Sequence, residues 1–176
     1  MRNMLFNPFE DRQSRDLRNS LSEGFAEAVE TGNSDKLTGI VASYRQQRLA
    51  KYYLDYLENR YSRYLQALEA IQGKISDPIQ QAIVLWNLEL FFEVHEVLEH
   101  AWYSATGDMK AILQALIRAA GVYIKREYGF YESAARIAAK AIPVLEANRH
   151  VLEKYFKVEK LIFALKNLHD LPPTLS

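Results

Sequence analysis

The chain has 176 residues, 22 Lys+Arg against 22 Asp+Glu, and no cysteine. That length suffices for one hydrophobic core without staples, and the missing thiols exclude disulfides, thiolate metal sites and thiol catalysis. Balanced charge argues against a nucleic-acid partner, and the absence of any run near ~20 apolar residues argues against a membrane span.

The opening residues, Met1 to Pro8, turn polar before an apolar leader of the secretory kind could form. The expected location is therefore the cytoplasm. Only 7 glycines and 5 prolines punctuate a chain rich in helix formers. No segment alternates with period two. These features predict an all-α fold, a compact array of about six to seven helices with no sheet.

Residues 1–9 read as an irregular arm. A first helix is expected from Arg12 to Glu30, stopped by Thr31-Gly32-Asn33. A second stretch runs from about Lys36 to Ile71, with a break near Ser43, and Gly73 ends it. Leu49, Tyr53, Tyr56, Leu57, Tyr64 and Ile71 share one face of it. The tyrosines here alternate with Arg45, Arg48, Lys51, Arg60 and Arg63. Such mixing occurs in single-strand nucleic-acid binders, but tyrosines at helical spacing more often pack in a core, and the neutral charge favours packing.

Ser76-Asp77-Pro78 is a strong helix start, with Asp77 as cap and Pro78 at the first helical position. One helix is expected from there to about Tyr103, a second from Asp108 to about Tyr128, and a third from Tyr131 with a kink or break at Pro143. The last, Val158 to Leu168, carries an apolar stripe of Val158, Leu161, Ile162, Leu165 and Leu168. That stripe suggests a homo-oligomer contact or, alternatively, packing of the helix back onto the chain's own core. The organisation expected is one domain, 1–176, with an N-terminal layer (1–75), a core (76–150) and a C-terminal amphipathic helix and tail (151–176).

Chemistry concentrates in Phe91 to Trp102, which holds Glu93, His95, Glu96, Glu99 and His100. At 100° per residue, Val84, Leu88, Phe91, Phe92, His95, Leu98, Glu99 and Trp102 fall on one arc. Glu89, Glu93, Glu96 and His100 form a neighbouring polar arc. His95 and Glu99 are thus expected inside the apolar stripe, where an unpaired carboxylate is costly and an i,i+4 partner relieves it. The spacing is neither the zinc-protease pattern, with two histidines four apart, nor the Glu-x-x-His of di-iron bundles. The pairs His95–Glu99 and Glu96–His100 each suit two ligands of a divalent metal, with further ligands needed from elsewhere. A buried structural His–Glu pair is the more economical reading.

The run from Glu93 to Trp102, together with Leu113-Gln114-Ala115-Leu116-Ile117 further on, resembles the family called domain of unknown function 309, over roughly residues 84–147. The matching positions are Glu93, His95, Glu96, Glu99, Trp102 and Gln114. The resemblance implies a compact array of about five helices and no assigned activity. The chain departs from that pattern at Ala115, Arg118 and Ile124, where glycine, glutamine and histidine are usual.

In the helix expected from Asp108, residues Met109, Ile112, Leu116, Ala120 and Tyr123 should face a core. Gln114, Arg118, Gly121 and Lys125 lie opposite, where Gly121 between two cations would admit an anion or a partner backbone. A solvated basic face explains them as well. The leading functional expectation is a non-enzymatic binding or scaffold domain. The alternative is a metal-dependent enzyme, a hydrolase for instance, with His95, Glu96, Glu99 and His100 as candidate ligands and Glu96 or Glu99 as general base.

Overall fold

A computed structural model describes residues 5–176; of the expected arm, residues 1–4 lie outside the described residues. Among the described residues there are nine helices and no strand. The all-α expectation holds, while the helix count exceeds the six to seven expected. The excess has local causes. The stretch from Lys36 to Ile71 is interrupted at Gln47–Ala50, a little beyond the break expected near Ser43, the helix expected from Pro78 to Tyr103 breaks at Leu88–Leu90, and a four-residue helix comes after Asn148.

The chain divides into two compact units, the first ending at Ile75 and the second spanning Ser76–Ser176. In the first, α1 (Arg12–Thr31) packs against both α2 (Asp35–Gln46) and α3 (Lys51–Ile71). The α3 face is the tyrosine-bearing one: Tyr53, Leu57, Arg60, Tyr64 and Ile71 are buried. Tyr64 stacks on Phe25 of α1 with ring centroids 4.5 Å apart, which places these rings in a core. The Arg60 guanidinium lies over the Tyr56 ring, 5.3 Å from its centroid. Gly32 ends α1 in the left-handed conformation (φ 73°) with its N–H on the Ala28 carbonyl. Glycine suits this position because it has no Cβ to clash.

The start of α1 is held by a small polar network. Asp11 accepts hydrogen bonds from the Ser14 backbone N–H (2.8 Å), the Ser14 hydroxyl (2.6 Å) and the Tyr53 hydroxyl (2.7 Å). The Ser14 hydroxyl first, then that of Tyr53, hold the Asp11 carboxyl down at about 2. A group whose folded pKa is depressed contributes stability above its unfolded value and loses it as pH falls through the folded one. The Asp11 contribution should therefore be complete above about pH 4 and disappear towards pH 2. Asp11→Ala should cost about 1–2 kcal/mol at pH 6. It should also flatten the acid limb of stability measured by urea unfolding between pH 5 and pH 2. An unchanged limb in the variant would remove Asp11 as its origin.

In the second unit, α4 (Pro78–Asn87), α5 (Phe91–Ser104), α6 (Gly107–Glu127) and α7 (Tyr131–Ala147) pack consecutively, each on the next. The short α8 (Arg149–Leu152) comes next, and α9 (Val158–Lys166) returns to α7. Asp77 caps α4 as expected, accepting from the N–H groups of Ile79 (2.9 Å) and Gln80 (3.0 Å). Pro143 does not break α7. Both Pro143 and Ala139, whose carbonyl loses its helical donor there, are exposed, so solvent can satisfy the orphaned oxygen. The α9 stripe of Val158, Leu161, Ile162 and Leu165 is buried within this unit. It fills the core instead of offering an open apolar face for association. No helix among the described residues is long and apolar enough to cross a membrane.

Candidate functional site

The break before α5 decides the geometry of the candidate site. Glu89 adopts φ 55°, and the N–H of Leu90 reaches back to the carbonyl of Leu85 at 2.9 Å. The helix then restarts at Phe91. Val84 and Leu88 therefore share no helical phase with α5. The face buried by α5 consists of Phe91, Glu93, Val94 and Leu98. Relative to the arc expected from an unbroken helix, it is rotated by about 100°, roughly one residue step.

This rotation corrects two expectations. His95 and Glu99 are not sealed in the apolar stripe: their side chains are 34 % and 41 % exposed. Glu93, expected on the polar arc, is instead 2 % exposed. The buried acid of α5 is thus a different residue from the one anticipated.

The rotation gathers three candidates at the surface. His95 Nδ1 lies 3.4 Å from Glu96 Oε1 and 3.7 Å from Glu99 Oε2. One ligand atom from each of His95, Glu96 and Glu99 lies within 4.8 Å of the others. Two donors each about 2.1 Å from one ion, at a tetrahedral angle, stand about 3.4 Å apart. Small rotamer changes would make the three converge. His100 is exposed on α5 and outside this group.

Helix α6 packs alongside α5. Lys110 Nζ sits over the Trp102 ring, 4.2 Å from its centroid, and Phe91 stacks on Tyr123 with centroids 5.4 Å apart. These two contacts fix an antiparallel register, in which Glu99 stands level with Gln114 and His95 with Arg118. Gln114 and Arg118 are half-buried. Met109, expected in the core, is exposed, whereas Ile112, Leu116, Ala120 and Tyr123 are buried. A Cβ on Gly121 would meet Ile137 Cγ2 of α7 at 3.9 Å. Gly121 therefore faces a neighbouring helix at ordinary contact distance and does not form an open cradle for an anion.

Residues 79–137 match the family model of Domain of unknown function (DUF309). The match covers α4, α5, α6 and the start of α7, beginning and ending slightly earlier than the 84–147 expected, and it contains every matching signature position. The two stretches that resemble that family's pattern, on α5 and α6, thus stand at one level of a single helical hairpin. No curated protein and no solved structure matches the chain.

Proposed function

We propose that the second unit is a helical binding domain whose DUF309 hairpin takes a divalent cation at His95, Glu96 and Glu99. The observation that carries this reading is that one ligand atom from each of the three residues lies within 4.8 Å of the others on a half-exposed helix face. The Glu99 side chain is 41 % exposed, so water can serve its carboxylate, whereas the His95 Nδ1 that faces both carboxylates is buried without a hydrogen-bond partner among the described residues and is the atom a cation would satisfy. An imidazole and two carboxylates suit zinc or manganese better than magnesium, which prefers an all-oxygen shell.

A ligand that binds only the folded state stabilises it, by about 2.7 kcal/mol at one hundred times its dissociation constant. Zinc or manganese should raise the thermal midpoint of the protein. The rise should vanish in His95→Ala and Glu99→Ala and on adding chelator. Elemental analysis should find the metal at one per chain. Midpoints that ignore metal in the wild type would overturn the cation reading and leave a scaffold domain with a solvated polar face.

A three-ligand set leaves coordination positions open for water, as catalytic zinc sites do. A second reading is therefore a metal-dependent hydrolase, in which His95 and one of Glu96 and Glu99 would hold the metal while the other carboxylate would serve as general base. It requires metal-stimulated hydrolysis that is lost in Glu99→Gln.

A further inference from the structure

The segment after α9 is held in an unusual way. Asp170 pairs with the Arg126 guanidinium, Leu171 is exposed, and the chain then runs without regular structure to Ser176. It engages α4 through its backbone. Trp86 Nε1 donates to the Pro173 carbonyl at 2.8 Å. Asn87 grips one residue twice: its Nδ2 donates to the Leu175 carbonyl and its Oδ1 accepts the Leu175 N–H, both at 2.9 Å. The backbone N–H of Lys157 donates to the Ser176 carbonyl at 3.0 Å. The Leu175 side chain is buried and lines a small apolar cavity together with Ile79, Ala82, Val94, Leu98 and Phe156.

A carboxamide that pairs with both the N–H and the C=O of one residue reads extended backbone, as an added strand does, while a pocket reads the side chain. We infer that the surface formed by Trp86, Asn87 and the Leu175 pocket is a peptide-recognition groove. Its ligand is an extended segment carrying leucine two residues after a proline, and residues 172–176 occupy it as a self-ligand. The groove uses the Val94–Leu98 side of α5 and not the His95–Glu99 side, so it stands independently of the cation site. Three features support recognition over simple completion of the core. The segment has no hydrogen bonds within itself among those described. Its side-chain anchor is a single leucine. An exposed residue, Leu171, joins it to the last anchored position.

The test uses the full chain with Leu175→Ala, which weakens the self-ligand, and a fluorescent peptide Leu-Pro-Pro-Thr-Leu-Ser titrated in by anisotropy. The peptide should bind this variant at least about tenfold more tightly than the wild type, whose groove is filled. Adding Asn87→Ala, or replacing the peptide leucine by alanine, should weaken binding by about tenfold or more. Should Leu175→Ala fail to fold, hydrogen exchange on the wild type decides. The Leu175 amide should exchange faster than the α4 core amides, reporting release of the segment from a folded unit. Equal binding of the alanine peptide, no binding to a folded Leu175→Ala variant, or a Leu175 amide that exchanges only with global unfolding would each overturn the groove as a recognition site.

Discussion

Leu98→Ala should lower the unfolding free energy of the second unit by about 3–5 kcal/mol, whereas Glu99→Ala, one residue on, should lower it by less than about 1 kcal/mol in metal-free protein. Leu98 is fully buried and borders the apolar cavity beside Leu175. Truncation would enlarge an existing void, and the cost of a large-to-small change grows with the cavity left behind. Glu99 is 41 % exposed, and the His95 Nδ1 that it approaches at 3.7 Å makes no hydrogen bond with it, so the variant loses no buried bond. Both tryptophans, Trp86 and Trp102, lie in the second unit, so their fluorescence in urea reads the relevant transition. Had the helix run unbroken from Pro78, His95 and Glu99 would be packed among aromatic rings, and Glu99→Ala would cost about 2–4 kcal/mol, the size of a lost buried contact and hydrogen bond. A cost of that size would restore the structural reading of the pair and move the buried face of α5 back towards the histidine.

The same helix separates what the sequence makes legible from what it hides. Where turns carry their own chemistry, the ends of elements were readable: Gly32 ends α1, Asp77 and Pro78 start α4, and Tyr131 opens α7 after Gly129. The break at Leu88–Leu90 has no such signal. Its left-handed residue is a glutamate, and its residues are apolar or helix-favouring. Only the consecutive packing of α4, α5 and α6 demands a turn there. A helix unbroken there displaces the phase of the wheel by one residue step and puts His95 and Glu99, in place of Glu93, at the buried positions. His95 and Glu99 stay neighbours whatever face the helix presents, being four residues apart, whereas the approach of Glu96 to His95 at 3.4 Å is visible only in the structure. The Asn87–Leu175 clamp had no sequence signature either, since it joins residues 88 apart through backbone atoms. An asparagine at a helix end reads most simply as a cap. Pro143 errs in the opposite direction: a strong local breaker is overridden because its neighbours on α7 bury Ala138, Ala141 and Leu145 against the core.

Two glycines inside helices make opposite predictions, although sequence gives no reason to separate them. A Cβ on Gly24 of α1 would lie 2.9 Å from Ile40 Cδ1, 3.1 Å from Leu37 Cα and 3.4 Å from Leu37 N of α2. The isoleucine methyl can rotate away, but the Leu37 backbone cannot, so alanine there must push α2 off α1. Overpacking of this kind costs about 1–3 kcal/mol. It is only partly offset by the ~0.5–1 kcal/mol that alanine gains over glycine in a helix interior. At Gly121 the nearest atom, Ile137 Cγ2, is 3.9 Å away, an ordinary contact. Gly121→Ala should therefore stabilise the second unit by up to about 1 kcal/mol. Gly24→Ala should destabilise the first unit, with the α1 and α2 amides losing protection from hydrogen exchange. Fluorescence-detected urea unfolding reads the Gly121 variant. A stabilised Gly24→Ala would mean that α1 and α2 do not approach so closely. A destabilised Gly121→Ala would mean that something other than Ile137 comes close to that point of α6, and would revive the glycine as a place of close approach.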